Sequence, residues 1–302
     1  MIEISPLNIV STKSIKAAKE LVLNELNDLQ KDYFPELTIK QFMSSQIYPD
    51  SRMLLLLQYR CLYKGIVEII VGIKLFNFVK KFSPNIEFFH ISFLRVHHVN
   101  QTSFGGETYD NFLAGALHYD NYTEVKNGSD TLTTWIPFQD INHETGSLAT
   151  TSDPFLIKNT ANGDGRTGLS PKDFHNEQFV RNNKEYIETL KIQCKTYNLN
   201  VGQCILFDKT VLHGSTYPVS KDRISFDLRW KKTDQANSFN DLMRKKHHFK
   251  KDALENLFRT KDRIFITRNL NEINKKFFFK RLSEELKSIL RPYKKICQQI
   301  LP

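Results

Sequence analysis

Two short stretches place metal-binding side chains far apart in the chain. The first contains His118 and Asp120, and the second contains His213, which lies 95 residues after His118. Side chains two residues apart on an extended strand project to the same side, so His118 and Asp120 are predicted to face one point. His213, arriving from a later strand, would complete a set of two imidazoles and one carboxylate. This set leaves neighbouring positions of an ion open and is typical of non-haem Fe(II) sites.

An arginine follows His213 by ten residues, in a stretch that alternates apolar and polar residues. Arg223 and Ser225 share a parity there, so both side chains are predicted to point into the same cavity. A planar guanidinium is the group best shaped to hold a carboxylate through two parallel hydrogen bonds. The stretch therefore predicts a carboxylate-binding position beyond the metal.

Taken together, these motifs resemble a known family. His-x-Asp, a distal His-Gly-Ser and a later Arg-x-Ser are similar to the Fe(II)/2-oxoglutarate dioxygenases, specifically the phytanoyl-CoA dioxygenase family. Further resemblance lies in three segments: Thr134-Trp135-Ile136-Pro137-Phe138-Gln139-Asp140, Glu144-Thr145-Gly146-Ser147-Leu148 and Gly202-Gln203-Cys204-Ile205-Leu206-Phe207-Asp208. The likeness covers residues 88–231 in the right order and does not extend to the ends.

The resemblance implies a ligand set and a reaction. Iron would be held by the catalytic triad of His118, Asp120 and His213, with 2-oxoglutarate on two further positions and dioxygen on the last. The far carboxylate of 2-oxoglutarate would lie on Arg223, with a hydrogen bond from Ser225 or Ser215. The products implied are succinate, carbon dioxide and a substrate hydroxylated at an unactivated C–H. Halogenases of this superfamily have a small residue where Asp120 stands, so hydroxylation, or desaturation or cyclisation by the same oxidant, is expected.

Three more side chains are candidates near this site. The resemblance implies that Trp135 lies against 2-oxoglutarate, although an indole in a half-buried strand is equally consistent with a core residue. Arg95 and His97 share one face of a predicted strand, where Arg95 would meet an acidic substrate. The alternatives are that Arg95 pairs with a nearby carboxylate and that His97 and His98 are ordinary strand residues.

The predicted fold is mostly β. Alternating strands are expected over residues 89–99, 131–138, 189–197, 201–208, 211–215 and 222–230, which favours a double-stranded β-helix, the cupin-like jelly roll. The first 85 residues are predicted to form a helical layer over one sheet, beginning with a helix over 12–30 that has Thr12 as its N-cap. Residues 1–232, with a core at 86–231, are therefore predicted to form the dioxygenase domain, and residues 233–302 a basic helical C-terminal extension.

Charge and composition indicate what the protein could contact and which compartment it occupies. The net charge is +10, and residues 231–302 hold 19 lysines and arginines against 8 acidic residues. An amphipathic helix over 273–301 would contact an anionic surface or a second subunit, or simply pack on the barrel. Four cysteines without C-x-x-C spacing favour a reducing compartment. With neither a signal peptide nor a bilayer-spanning apolar run in view, the sequence predicts a cytoplasmic protein.

Two other functions remain open from the residues alone. Arg223 and Arg229 are six apart, as in AlkB-like nucleic-acid dealkylases. Against that function, the distal histidine sits closer to the first arginine than in that family, no basic aromatic-rich lid precedes the barrel, and Arg229 is expected at the rim or outside. The non-enzymatic alternative is a jelly roll that only binds a small molecule or a glycan. The substrate of an oxygenase with these side chains is expected to be a small, anionic organic molecule.

Overall fold

A computed structural model of the chain describes residues 1–44, 57–58, 60–88, 93–99, 131–151, 161–162, 166–167, 185, 189, 192–209 and 211–244. Five helices have both ends within these residues: α1 Thr12–Tyr33, α2 Ile39–Ser44, α3 Ile66–Ile70, α4 Ile73–Lys80 and α5 Phe239–Arg244. The described strands are β1 Ile2–Ile4, β2 Ile86–Phe88, β3 Phe93–His97, β4 Thr131–Pro137, β5 Leu148–Thr151, β6 Ala161–Asn162, β7 Arg166–Thr167, β8 Lys195–Thr196, β9 Ile205–Asp208, β10 Leu212–Ser215 and β11 Arg223–Lys232.

The long strand β11 is the centre of a six-stranded antiparallel sheet. One edge of β11 pairs with β4 over seven positions, from Ser225 to Lys231. The other edge pairs first with β3 and then with β2, so these two short strands share one long neighbour. The sheet continues from β4 through β9 to β1. Because β11 touches three other strands, its alternation decides what lies on each face of the sheet.

The two faces of this sheet differ sharply in polarity. Even-numbered residues of β11 project to one side, where Ile224, Phe226, Leu228 and Trp230 are buried in the main apolar core. The only polar atom of the Trp230 side chain donates to Thr134 Oγ1 at 2.7 Å, so burial leaves it bonded. Odd-numbered residues, beginning with Arg223, project to the opposite side. The sheet thus has an apolar face and an inner face that carries charge.

The N-terminal helices cover the apolar face. Residues Ile15, Ala18, Val22, Leu26 and Leu29 of α1 recur at helical spacing and are all buried in that core, together with apolar residues of α3 and α4. The helix begins at Thr12, the predicted start, and runs to Tyr33, beyond the predicted end at residue 30. The N-cap is Ser11 rather than Thr12, and its Oγ accepts from the Ser14 N–H at 3.0 Å. The described helices between residues 12 and 80 agree with the predicted helical layer. Residues Ile2–Ile4, which were predicted to belong to it, form strand β1 of the larger sheet instead.

A second, three-stranded antiparallel sheet has the order β10-β5-β8. Leu148, Tyr197 and Val211 from this side form a separate apolar cluster with Trp135 and Phe207 of the larger sheet. The inner face of the larger sheet is therefore packed against the smaller one. Two antiparallel sheets in contact agree with the mostly β core that was predicted, and the complete double-stranded β-helix stays a prediction.

One predicted strand was mostly wrong. Over residues 189–197 the apolar alternation suggested a strand, yet residues 189, 192 and 193 are helical. Of the described residues in this segment, only Lys195–Thr196 pairs in a sheet. Ile192 is 84% exposed, so its side chain has no core to face. Three alternating apolar residues are too short a pattern to separate a strand from a helix that lies on the surface.

The chain beyond residue 232 packs onto the helical layer as far as it is described. Leu242 of α5 is fully buried in the main core, and the Phe239 ring lies 5.7 Å from that of Phe76. Asn237 Nδ2 also donates to the Ile86 carbonyl at 3.2 Å. The predicted amphipathic helix over 273–301 lies outside the described residues. Within the described ranges, no helix combines the length and apolarity needed to cross a membrane.

We expect Leu242→Ala to lower the free energy of unfolding by about 2–5 kcal/mol, because it opens a cavity where residues after 232 meet the core. The matched control is Leu7→Ala, since Leu7 is 59% exposed and its truncation should change stability by less than about 0.5 kcal/mol. Urea denaturation followed by circular dichroism measures both. Equal stability of the two variants would mean that α5 does not belong to the folded domain.

Candidate active site

Arg223 opens β11 on the inner face of the larger sheet and is completely buried. Its Nη1 donates to the Ser147 carbonyl at 3.2 Å, and its guanidinium lies 5.9 Å from the centre of the Trp135 ring. Its Nε and Nη2 are also buried, and neither has a hydrogen-bond partner among the described residues. These two donors lie on one edge of the guanidinium, which is the edge that holds a carboxylate in a bidentate pair.

The electrostatic environment of Arg223 is unfavourable. Burial lowers the pKa of Arg223 to about 9, with the charge of Arg95 acting in the same direction and that of Asp227 opposing both. A buried charge and two unmade hydrogen bonds are costly, since each unsatisfied buried donor costs about 1–3 kcal/mol. A planar anion at this edge would relieve both costs.

The backbone next to Arg223 is shaped to admit the guanidinium. Gly146 has a φ of 67°, in the left-handed region that favours glycine. A Cβ at this position would lie 2.5 Å from the Tyr217 carbonyl oxygen and 2.9 Å from Arg223 Nη1. A φ in this region is typical of a glycine in a turn. The second role of Gly146, making room for Arg223, was not predicted, because it depends on contacts with residues far along the chain.

His213 lies on β10 of the smaller sheet and is buried, with its ring 4.6 Å from that of Phe207. Its Nδ1 lies 3.0 Å from the Val211 carbonyl oxygen. A carbonyl oxygen only accepts, so Nδ1 carries a proton, and in the neutral form of this ring the lone pair is on Nε2. A backbone carbonyl that fixes the tautomer in this way is a common support for a metal-ligating histidine. The neutral form of this tautomer is the one that a metal ligand requires.

Three other predicted site residues lie on the facing sides of the two sheets. Trp135 and Ser225 are each 1% exposed and lie on β4 and β11 with the parity of Arg223. Ser215 is two residues beyond His213 on β10, opposite Leu148. Phe207, whose ring contacts His213, pairs with Thr133 on that face. The Phe207 side chain therefore lies between His213 of the smaller sheet and the inner face of the larger sheet.

The other two predicted metal ligands, His118 and Asp120, lie outside the described residues. Within the ranges that are described, no group of three or more histidine, cysteine, aspartate or glutamate side chains is placed to hold a metal ion. Of the predicted triad, only His213 is therefore located. The convergence of the three ligands stays a prediction.

Arg95 and His97 both project from β3 toward the inner face. Arg95 Nε donates to Asp227 Oδ2 at 3.3 Å, which is the carboxylate pairing that the sequence left open. His97 lies directly opposite Arg223, and its Nε2 is buried with no partner in the described part of the chain. Burial, followed by the charges of Arg223 and Arg95, holds the pKa of His97 well below its usual range. The His97 ring is consequently neutral near pH 7.

The neighbouring histidine has a different environment. His98 Nδ1 lies 2.7 Å from Asp222 Oδ1, and the same oxygen accepts from the Val99 N–H at 3.0 Å. His98 therefore has a partner that ties the end of β3 to the start of β11. Of the two adjacent histidines, only His97 has a buried nitrogen without a partner among the described residues.

The expected position of Arg229 was wrong. The side chain was expected at the rim or outside, yet Arg229 is 3% exposed and lies on the inner face opposite Thr133. Six residues are an even number of strand steps, so Arg229 shares the face of Arg223. The expected position of Arg229 is therefore no longer a reason against an AlkB-like dealkylase. The other two reasons still apply: the short spacing between the distal histidine and Arg223, and a sequence without a basic, aromatic-rich lid before the barrel.

No protein-family model matches the chain, and no curated protein matches it. Several solved structures are similar in part. One is the nickel complex of ThoJ, a non-heme monooxygenase, with 11% identity, 87% of this chain and 96% of that chain covered, and a TM-score of 0.45. Another is AviO1 from Streptomyces viridochromogenes Tue57, with 10% identity and a TM-score of 0.43; the match covers 78% of this chain and 91% of AviO1. HygX from Streptomyces hygroscopicus was solved once with iron bound and once with nickel and 2-oxoglutarate bound. Each of these structures has 12% identity and a TM-score of 0.39, and the match covers 77% of this chain and 83% of HygX. At TM-scores below 0.5 these likenesses establish neither the fold nor the activity of this chain.

Replacing Arg223 by methionine should leave the ligand-free protein as stable as before or raise its free energy of unfolding by about 1–4 kcal/mol, because it removes a buried, poorly bonded charge. The Ser147 carbonyl would keep a partner, since the Thr216 N–H donates to it at 2.8 Å. Arg244→Met is the matched control, at a side chain that is 78% exposed. Chemical denaturation without added ligand measures the effect. A marked loss of stability in Arg223→Met alone would show that the guanidinium is a structural element.

Proposed function

We propose that this protein is an Fe(II)- and 2-oxoglutarate-dependent dioxygenase of the phytanoyl-CoA dioxygenase type. It hydroxylates an unactivated C–H of a small, anionic organic substrate and releases succinate and carbon dioxide. The observation that carries the proposal is the buried Arg223 guanidinium, whose Nε and Nη2 have no partner among the described residues. A protein that keeps such a group has a use for an anion at that point.

The residues present fit the two groups that this reaction needs. Arg223 offers two adjacent donors to the far carboxylate of 2-oxoglutarate, and Ser225 is a buried hydroxyl two residues along the same face. Trp135 provides an aromatic wall beside the guanidinium. His213 presents its lone pair on Nε2, and His118 and Asp120 are the proposed partners that complete the donor set for Fe(II).

Each side chain then has a defined task. Arg223 fixes the far end of the diacid, which orients its keto acid end toward the metal ligands. The Val211 carbonyl holds the proton of His213 on Nδ1, so the ring stays oriented as a ligand. When bound, Fe(II) with 2-oxoglutarate and dioxygen supplies the oxidant for C–H hydroxylation. Asp120 occupies the place that is small in halogenases of this superfamily, which favours hydroxylation over halide transfer.

The direct test is succinate release from 2-oxoglutarate by the purified protein with Fe(II) and ascorbate. We expect turnover that a chelator abolishes and added Fe(II) restores. His213→Ala and Asp120→Ala should each abolish it, because two remaining ligands hold Fe(II) poorly. His143→Ala and Asp234→Ala are the matched controls, since both residues are exposed.

Three results would count against the proposal. Turnover that survives in His213→Ala or Asp120→Ala would remove these residues as ligands. Turnover that a chelator does not affect would exclude a metal-dependent reaction. Binding of 2-oxoglutarate without any release of succinate would favour the non-catalytic binding protein.

A further inference from the structure

Three buried polar atoms without partners among the described residues lie at two neighbouring positions. Two of them are Nε and Nη2 of Arg223, and the third is Nε2 of His97. In the register of β3 and β11, His97 and Arg223 are direct Cα partners. Directly opposed residues of an antiparallel pair project to the same face with their Cβ atoms about 4.5–5.5 Å apart. Three of the buried side-chain atoms that lack a hydrogen bond among the described residues of these two strands therefore lie at one point.

Other polar groups around this point are bonded. Arg95 on β3 pairs with Asp227 on β11, and His98 pairs with Asp222. Arg223 Nη1 is bonded to the Ser147 carbonyl. The unpartnered atoms are thus not a general feature of this end of the sheet. Since each costs about 1–3 kcal/mol when left unbonded, a ligand that bonds all three is the simplest account of their arrangement.

The charges around His97 favour an anion as that ligand. His97 shares the inner face with Arg223, its direct partner, and with Arg95, two residues away on β3, and the charges of both act on its ring. The carboxylate of Asp227, on the same face of β11, is already paired with Arg95. A second buried cation would repel both guanidinium groups, so a neutral ring is the form that fits. A neutral imidazole keeps one N–H, and in the tautomer with the proton on Nε2 it is a donor.

We propose that His97 and Arg223 form a single carboxylate site, in which His97 Nε2–H donates a third hydrogen bond to the carboxylate that Arg223 holds through Nε and Nη2. The inference rests on the proposed function, which makes this group the far carboxylate of 2-oxoglutarate. A carboxylate has about four lone-pair positions, so it can accept all three bonds. His97 then contributes to the selection of a diacid over a keto acid that lacks the second carboxylate.

The test is calorimetric titration of the Mn(II)-loaded protein, without oxygen, using 2-oxoglutarate and pyruvate as the two probes. His97→Leu removes the donor, whereas His97→Gln keeps an amide N–H close to the position of Nε2. We expect His97→Leu to weaken 2-oxoglutarate about tenfold or more, the effect of a hydrogen bond to a charged group, and to leave pyruvate unchanged. His97→Gln should stay within about threefold of the wild type for both probes.

His143→Leu serves as the control, because His143 is an exposed histidine. In the succinate assay, His97→Leu should raise the KM for 2-oxoglutarate while kcat is retained. Melting of the ligand-free variants should show no loss of stability, because His97 Nε2 has no bond to lose among the described residues.

The possible outcomes separate this inference from the function on which it rests. Wild-type binding of 2-oxoglutarate with no loss in His97→Leu overturns the role of His97 alone. Equal weakening of 2-oxoglutarate and pyruvate, or no recovery in His97→Gln, assigns His97 a structural role and also overturns it. A wild-type protein that does not bind 2-oxoglutarate at all overturns the proposed function together with this inference.

Discussion

The burial of one guanidinium is the constraint around which the candidate site is arranged. Arg223 lies at the first position of the longest strand, held by the Ser147 carbonyl and fitted against Gly146, where a side chain would collide with it. Such burial is unfavourable unless the charge has a partner. The large apolar core between the helical layer and the opposite face of the sheet supplies the stability that permits it. An enzyme commonly keeps its binding site poorly bonded until the ligand arrives, at a cost in stability.

Much of the larger sheet could be predicted from the sequence, because one face of its strands is packed with apolar side chains and the other carries polar and charged ones. In residues 223–230 the apolar side chains alternate with polar ones, and this period of two placed Ser225 with Arg223 on the inner face. The same parity also places Arg229 inside, although it was expected at the rim. The prediction over 189–197 was mostly wrong because a short alternating segment near the surface has no opposing core to decide its conformation.

The candidate site was less accessible from the sequence, since its geometry depends on pairing between distant strands. A single sequence does not give the register that sets His97 opposite Arg223, the contact of Phe207 with the His213 ring, or the fit of Gly146 against the guanidinium. Residue types and spacing predicted which side chains bear the chemistry. They did not predict which of them would lack a partner among the described residues, and that property is what points to a ligand.

We propose that the Nε and Nη2 edge of Arg223 receives a carboxylate of 2-oxoglutarate. The most direct measurement is a crystal structure of the protein with Mn(II) and 2-oxoglutarate, grown without oxygen. We predict one carboxylate of the ligand within hydrogen-bonding distance of Nε and Nη2 of Arg223, with the metal bound by His118, Asp120 and His213. A structure in which a carboxylate of the protein itself occupies both donors, with the diacid bound elsewhere or absent, would contradict the account.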